Sequence, residues 1–185
     1  MSRVLILSHP RAGTLYTAIV LRMLGLDIGH EREGKDGAVS GIFGPNWDFS
    51  KYKIVHQVKN PKYAIPSITT IKGETFNQIY KTCGRDIVAE RGKVRSRLLL
   101  AMLSWDCFTD WADNITDKFY RVEDIKDYWP KLLKMLKCKK IKFPPVPDNV
   151  NHINHKDFTY RDMEKVDKKL TEKIKKKAIK YGYAV

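Results

Sequence analysis

The chain has 185 residues, and its 35 lysine and arginine residues outnumber its 21 aspartate and glutamate residues to give a formal net charge of +14. That length fits one domain with a real hydrophobic core, and a composition of 43% hydrophobic and 30% charged residues excludes a wholly disordered chain. The longest apolar run, residues 98–103, is far shorter than the roughly 18–20 residues that a membrane-spanning helix needs. The charge fits nucleic acid, an anionic membrane surface or a polyanionic small ligand as the partner.

The cysteines and the first residues bear on the cellular compartment. Cys83, Cys107 and Cys138 are odd in number and share no C-x-x-C spacing, which favours reduced thiols over disulfides and argues against a zinc site or any other metal site. An apolar, strand-like run begins at Val4, directly after the first residues, so we expect no signal peptide. The sequence therefore predicts a cytoplasmic protein.

The first predicted element is a strand over residues 3–8, whose continuous apolar run is typical of a strand buried on both faces of a parallel sheet. Pro10 and Gly13 indicate a turn, and a helical pattern of apolar residues follows from Thr14 until Gly25. A strand, a glycine-containing turn and a helix in this order are the usual opening of an α/β fold.

The rest of the chain continues this pattern without an internal repeat. Further strands are predicted over residues 52–58 and 118–122, and helices over residues 95–115, 124–136 and from 159 onward. A proline-rich connector, residues 143–147, precedes a polar Asn/His segment, and we expect a lid around residues 144–160. The simplest organisation is a single α/β domain over residues 1–185.

The turn after the first strand is the first candidate site. Backbone N–H groups in such a turn, together with the positive end of the next helix, form a cradle for an anion. Arg11 adds a positive charge, Gly13 permits close approach of the backbone, and Thr14 offers a hydroxyl at the helix start. The Walker spacing is missing, which argues against an ordinary ATP or GTP site. A tight turn with a surface arginine is the alternative interpretation.

A second candidate site follows the strand over residues 52–58. Lys59 lies at the end of that strand, and Ser67 lies eight positions later. Lysines and serines at a surface are usually only solvated, so this pair alone is weak. Together with the turn at Arg11, it indicates a ligand that carries two separated anionic groups.

The order of several motifs resembles the sulfotransferases that use 3′-phosphoadenosine-5′-phosphosulfate (PAPS). Residues 11–16 are similar to the 5′-phosphosulfate loop of that family, and residues 59–67 are similar to its 3′-phosphate motif. Other similar segments are residues 24–31, 36–40, 120–125 and 181–183. The resemblance implies a single-domain, three-layer, P-loop-like α/β fold in which helices flank a central parallel sheet.

The resemblance also implies a sulfotransferase that moves a sulfuryl group from PAPS to a hydroxyl acceptor and releases 3′-phosphoadenosine-5′-phosphate (PAP). The residues expected to bind the donor are Arg11, Ala12, Gly13, Thr14, Leu15, Tyr16, Lys59 and Ser67. Arg11 is also expected to contact the transferring group, and Tyr16 to pack against the adenine. The chain departs from the family at Ala12, Leu15 and Tyr16, and Lys59 stands where arginine is usual, which keeps the charge but loses bidentate geometry.

Glu31 is the predicted general base, because the similar family segment carries an acidic residue close to the donor. The alternative is a surface glutamate in the charged run of residues 31–33. His30 and His56 are further candidates, although a histidine in mid-strand is more often part of the core. His9 borders the anion loop and is expected to orient it.

The acceptor stays open among a saccharide hydroxyl, a small alcohol, a phenol and a peptide tyrosine. A different class of function is a basic protein that binds nucleic acid or another polyanion through its lysine-rich last third, without catalysis. The motifs favour the enzyme, so nucleic acid is not the expected partner.

Overall fold

The computed structural model describes residues 3–41, 47–71, 96–146 and 155–185. The strands are β1 (Arg3–Ser8), β2 (Ile28–His30), β3 (Gly37–Ser40), β4 (Tyr52–Val58) and β5 (Phe119–Arg121). The helices are α1 (Thr14–Arg22), α2 (Pro61–Ile68), α3 (Arg97–Ile115), α4 (Ile125–Leu136), α5 (Tyr160–Val166) and α6 (Lys168–Lys180). Cys83 and residues 147–154 of the expected lid lie outside the described residues.

The five strands form one parallel sheet in the order β2-β3-β1-β4-β5. The apolar run of β1 occupies the centre, and its side chains alternate between the two faces. Val4 and Ile6 join the core on one face, whereas Leu5 and Leu7 join the core on the other. This alternation is why a continuous apolar run, rather than an apolar–polar pattern, marks the central strand.

Helices cover both faces of the sheet and complete a three-layer α/β fold. On one face, α1 and α4 contribute buried residues to the core that contains Val4 and Ile6. On the other face, α2, α3, α5 and α6 pack together around Trp105, which is fully buried. The predicted fold class, a central parallel sheet flanked by helices, is confirmed.

Several element boundaries differ from the predicted ones. The strand expected over residues 118–122 is shorter, because Val122–Asp124 forms a 3₁₀ turn before α4 begins at Ile125. The helix expected from residue 159 onward is interrupted at Asp167, whose carboxylate accepts a hydrogen bond from the N–H of Leu170 and caps α6. Strands β2 and β3 were not predicted.

Within the described residues, no helix is long and apolar enough to cross a membrane. Cys107 is buried and Cys138 is half-buried, and neither forms a disulfide bond within the described residues. The same part of the chain holds no group of three or more His, Cys, Asp or Glu side chains arranged to bind a metal ion.

Candidate functional site at the carboxyl edge of the sheet

The candidate residues lie in segments that leave one edge of the sheet. All strands are parallel, so the segments that follow β1, β2, β4 and β5 emerge at the same carboxyl edge. The chain turns to one side of β1 to form β2 and β3 and to the other side to form β4 and β5. Such a topological switch point beside β1 is where open α/β sheets bind ligands. The loops that carry Arg11 and Lys59 lie on either side of it.

The loop after β1 has an unusual backbone. Arg11 and Gly13 both adopt left-handed conformations, with φ of 70° and 81°. A side chain at Gly13 would also meet Val122 Cγ2 at 3.2 Å, so glycine suits both the backbone and the space available. Ala12 between them is fully buried, and its N–H donates to the carbonyl of His9 at 3.2 Å.

The loop leads directly into α1, so a group bound by the loop would also face the N-terminus of this helix. The N-terminal N–H groups of a helix have no partner within the helix itself, and Gly13, at the N-cap of α1, has no side chain to cap them. The first turn of α1 also lacks an acidic residue. Thr14 is buried at this point, and its hydroxyl lies 3.0 Å from Nε2 of His30. These features fit a phosphate or sulfate group.

Gln57, on β4, holds the loop in place from beneath. Its Nε2 donates to the carbonyl of Ala12 at 2.7 Å, and its Oε1 accepts hydrogen bonds from the hydroxyls of Thr17 and Tyr120, both at 2.5 Å. All these groups are buried, and burial raises the pKa of Tyr120. The role of Gln57 could not be predicted from the sequence, because its partners lie 40 to 63 residues away along the chain.

The two predicted anion motifs meet in space. Nε of Arg11 donates to Oγ of Ser67 on α2 at 3.3 Å, although 56 residues separate them. Burial lowers the pKa of Arg11. Burial lowers the pKa of Lys59, too; Glu123 opposes this shift, and the positive charge of Arg11 adds to it. Arg11, Lys59 and Ser67 therefore form one partly desolvated, positively charged cluster.

Glu31 follows β2 at the same edge of the sheet. Its carboxylate accepts hydrogen bonds from the hydroxyl of Ser40 at 2.6 Å and from the N–H of Gly41 at 3.0 Å. Its Oε1 lies 3.8 Å from Nε2 of His30, the same nitrogen that contacts Thr14. Glu31 is thus fixed in position and connected through His30 to the start of α1, rather than projecting freely from the surface.

The three candidate histidines have different surroundings. His9 is fully buried, and burial lowers its pKa to about 3; its Nδ1 lies 3.0 Å from the carbonyl of Pro10, beside the loop. His56 is also fully buried, and its Nδ1 contacts Asp113 at 3.2 Å, as expected of a core histidine. Half-buried His30 contacts the loop, and burial followed by the charge of Arg22 lowers its pKa.

The other predicted donor-binding residues lie in the first turn of α1. Leu15 is half-buried there. Tyr16 is half-buried as well and packs against the core beneath α1 and α4. The adenine contact predicted for Tyr16 stays a prediction.

Comparison with solved structures gives a match over most of the chain. The fold is similar to that in the crystal structure of mouse sulfotransferase SULT7A1 complexed with PAP, with a TM-score of 0.54 and 15% sequence identity. The match covers 94% of this chain and 84% of that chain. No protein-family model and no curated protein matches the sequence. The chain therefore has a sulfotransferase-like fold.

Proposed function

We propose that this protein is a sulfotransferase that takes a sulfuryl group from PAPS and transfers it to a hydroxyl acceptor. The hydrogen bond between Arg11 and Ser67 carries the proposal, because it joins a loop predicted to bind the 5′ end of the donor to a residue predicted to bind its 3′-phosphate. PAPS carries anionic groups at both places. The structural neighbour, a sulfotransferase complexed with PAP, supports the same assignment.

The residues at the switch point fit such a donor. The N-terminal N–H groups of α1, the left-handed loop and the hydroxyl of Thr14 would hold the 5′-phosphosulfate. Lys59 and Ser67 would hold the 3′-phosphate. PAPS supplies the sulfuryl group and a phosphate that leaves with added negative charge. Arg11 would stabilise that charge through its guanidinium, which its hydrogen bond to Ser67 holds at the site.

The acceptor hydroxyl must lose a proton during transfer, and Glu31 is the proposed base. Ser40 and Gly41 orient its carboxylate, which leaves it positioned at the carboxyl edge of the sheet. His30 is the competing base, since it lies between Glu31 and Thr14. Glu31→Gln should abolish transfer while leaving PAP affinity unchanged, whereas the same result for His30→Gln alone would assign the role to His30.

The alternative, a polyanion-binding protein, draws its support from the lysines of the last third. Several of these lysines form ion pairs with carboxylates of the same chain. Lys177 is buried against Asp106 and Asp110, and Lys180 contacts Asp113 at 2.6 Å. Lysines engaged with carboxylates offer less charge to a nucleic acid. This observation favours the enzyme over the binding module.

The donor site is tested by titrating PAP into the protein and measuring both Kd and the melting temperature. Arg11→Ala should abolish the PAP-dependent rise in melting temperature, and Lys59→Ala and Ser67→Ala should reduce it. Lys62→Ala is the matched control, because Lys62 is exposed on α2. No response of the wild-type protein at millimolar PAP would refute the donor site. Salt-dependent DNA binding that persists in Arg11→Ala would favour the alternative.

Transfer itself is tested by following PAP release from PAPS in the presence of candidate acceptors. Saccharides, small alcohols, phenols and tyrosine peptides form the acceptor set. Acceptor-dependent PAP release that disappears in Arg11→Ala is the expected result. PAP binding without transfer to any of these acceptor classes would contradict the proposed activity.

A further inference from the structure

The segment that carries Lys59 is held through main-chain groups of three successive residues. The carbonyl of Val58 accepts a hydrogen bond from the hydroxyl of Tyr183 at 3.2 Å. The carbonyl of Lys59 accepts one from Nε1 of Trp105 at 3.4 Å, and the N–H of Asn60 donates to Oε1 of Glu123 at 3.0 Å. Each of the three residues is therefore held by a different side chain that is distant in sequence.

Two of these side chains also bind each other. The Tyr183 hydroxyl is 2.9 Å from Oε2 of Glu123 and shares its single proton between this oxygen and the Val58 carbonyl, so Glu123 bridges Asn60 and Tyr183 with its two oxygens. Arg121 holds the same region from the other side: its Nη1 donates to the carbonyl of Gly182 at 2.7 Å, and its guanidinium lies 5.4 Å from the centre of the Tyr183 ring. We call Arg121, Glu123 and Tyr183 the tyrosine clasp.

The clasp acts on the side of the site that would bind the 3′-phosphate. Asn60 begins α2 by accepting the N–H of Lys62, and α2 carries Ser67. Fixing Asn60 therefore fixes both Lys59, directly before it, and the helix that presents Ser67. The 5′-phosphosulfate loop, by contrast, is held by Gln57, which donates to the carbonyl of Ala12.

We propose that Glu123 and Tyr183 are positioning residues that set the preference of the site for a 3′-phosphorylated nucleotide over the same nucleotide with a free 3′-hydroxyl. This inference rests on the proposed function. Glu123 exerts its effect through hydrogen bonds rather than as a ligand, since a carboxylate would repel a phosphate. Burial lowers the pKa of Lys59, and the negative charge of Glu123 opposes that shift.

The experiment compares the affinities of PAP and adenosine 5′-monophosphate, which lacks the 3′-phosphate, by isothermal titration calorimetry. Tyr183→Phe and Glu123→Ala should weaken PAP binding by about 5- to 10-fold, the equivalent of one lost hydrogen bond, and change monophosphate binding by less than about 2-fold. Glu123→Gln keeps an acceptor for Asn60 and should restore most of the preference. Tyr181→Phe is the matched control, because its hydroxyl contacts Asp113 instead.

The outcomes separate this inference from the proposed function. A wild-type protein that binds neither nucleotide refutes the proposed function and the inference with it. A wild-type protein that prefers PAP, with a preference unchanged in Tyr183→Phe, overturns the inference alone. Equal loss of both ligands in Tyr183→Phe also overturns it, because it indicates general loosening of the fold. If Glu123→Ala does not fold, Tyr183→Phe and Glu123→Gln decide the question.

Discussion

Replacing Gln57 by leucine tests whether one buried amide organises the loop after β1. The substitution keeps an apolar side chain of similar volume but removes the donor to Ala12 and the acceptor for Thr17 and Tyr120. Each buried polar group left without a partner costs about 1–3 kcal/mol. Because the three groups share one side chain, their costs are not fully additive, and we expect a total of about 3–5 kcal/mol.

A loss of that size is a large part of the 5–15 kcal/mol that usually stabilises a domain. For a chain of this length it corresponds to a fall in melting temperature of about 6–20 °C. Urea denaturation followed by tryptophan fluorescence measures the free energy of unfolding, and calorimetry measures the melting temperature. PAP affinity should fall as well, since Ala12 lies within the loop.

The two hydroxyl donors provide the control. Thr17→Val and Tyr120→Phe should each destabilise the protein by about 1 kcal/mol, and either change made in the Gln57→Leu background should cost little or even restore stability. A free energy of unfolding for Gln57→Leu within about 1 kcal/mol of the wild-type value would refute this role of Gln57. So would double variants in which the cost of the hydroxyl substitution adds fully to the cost of Gln57→Leu.

Three further predictions follow from the packing. Lys177→Met should destabilise the fold by about 2–3 kcal/mol in urea denaturation, because it removes a partner of the buried carboxylate of Asp106. Lys176→Met, at an exposed neighbouring position, should change the free energy of unfolding by less than about 0.5 kcal/mol. Equal effects of the two substitutions would contradict a stabilising buried ion pair. Gly13→Ala should lower the free energy of unfolding by about 1–2 kcal/mol and weaken PAP binding. Gly25→Ala, at a position with a similar φ and open space around it, should destabilise the backbone to a similar extent but bind PAP normally. Burial lowers the pKa of His9 to about 3, so below pH 6.5 the unfolded chain binds a proton that the folded protein excludes. Stability should therefore fall by about 2 kcal/mol from pH 7 to pH 5, and His9→Phe should flatten this dependence; an unchanged slope in the variant would count against a neutral His9.

The sequence was most informative where structure depends on neighbouring residues. The apolar run of β1 and the Pro10–Gly13 turn are local signals, and β4 was predicted over the residues that form it. Strands β2 and β3 are short and contain glycine and polar residues, so only the pairing of β3 with β1 and of β2 with β3 makes them strands.

The candidate site also has parts that could be predicted from neighbouring residues and parts that depend on distant ones. Motif spacing identified the loop at Arg11 and the pair Lys59 and Ser67 as candidates, because residues near strand ends carry recognisable patterns. Their contact across 56 residues depends on how β1 and β4 lie side by side, which spacing does not encode. Gln57 belongs to no motif, and Glu123 lies in the family-like segment of residues 120–125 without a predicted role; both roles emerge only from partners that are distant in sequence.

The contact between Arg11 and Ser67 implies thermodynamic linkage between the two ends of the proposed nucleotide site. An anion that engages Arg11 competes with or reorients its hydrogen bond to Ser67, and an anion that engages Ser67 does the same to Arg11. Occupancy of one end must then alter the affinity of the other by an equal factor in both directions. For a donor or product that occupies both ends at once, this coupling would be part of a single binding affinity. For two separate monoanions, it would be measured as cooperativity between their binding.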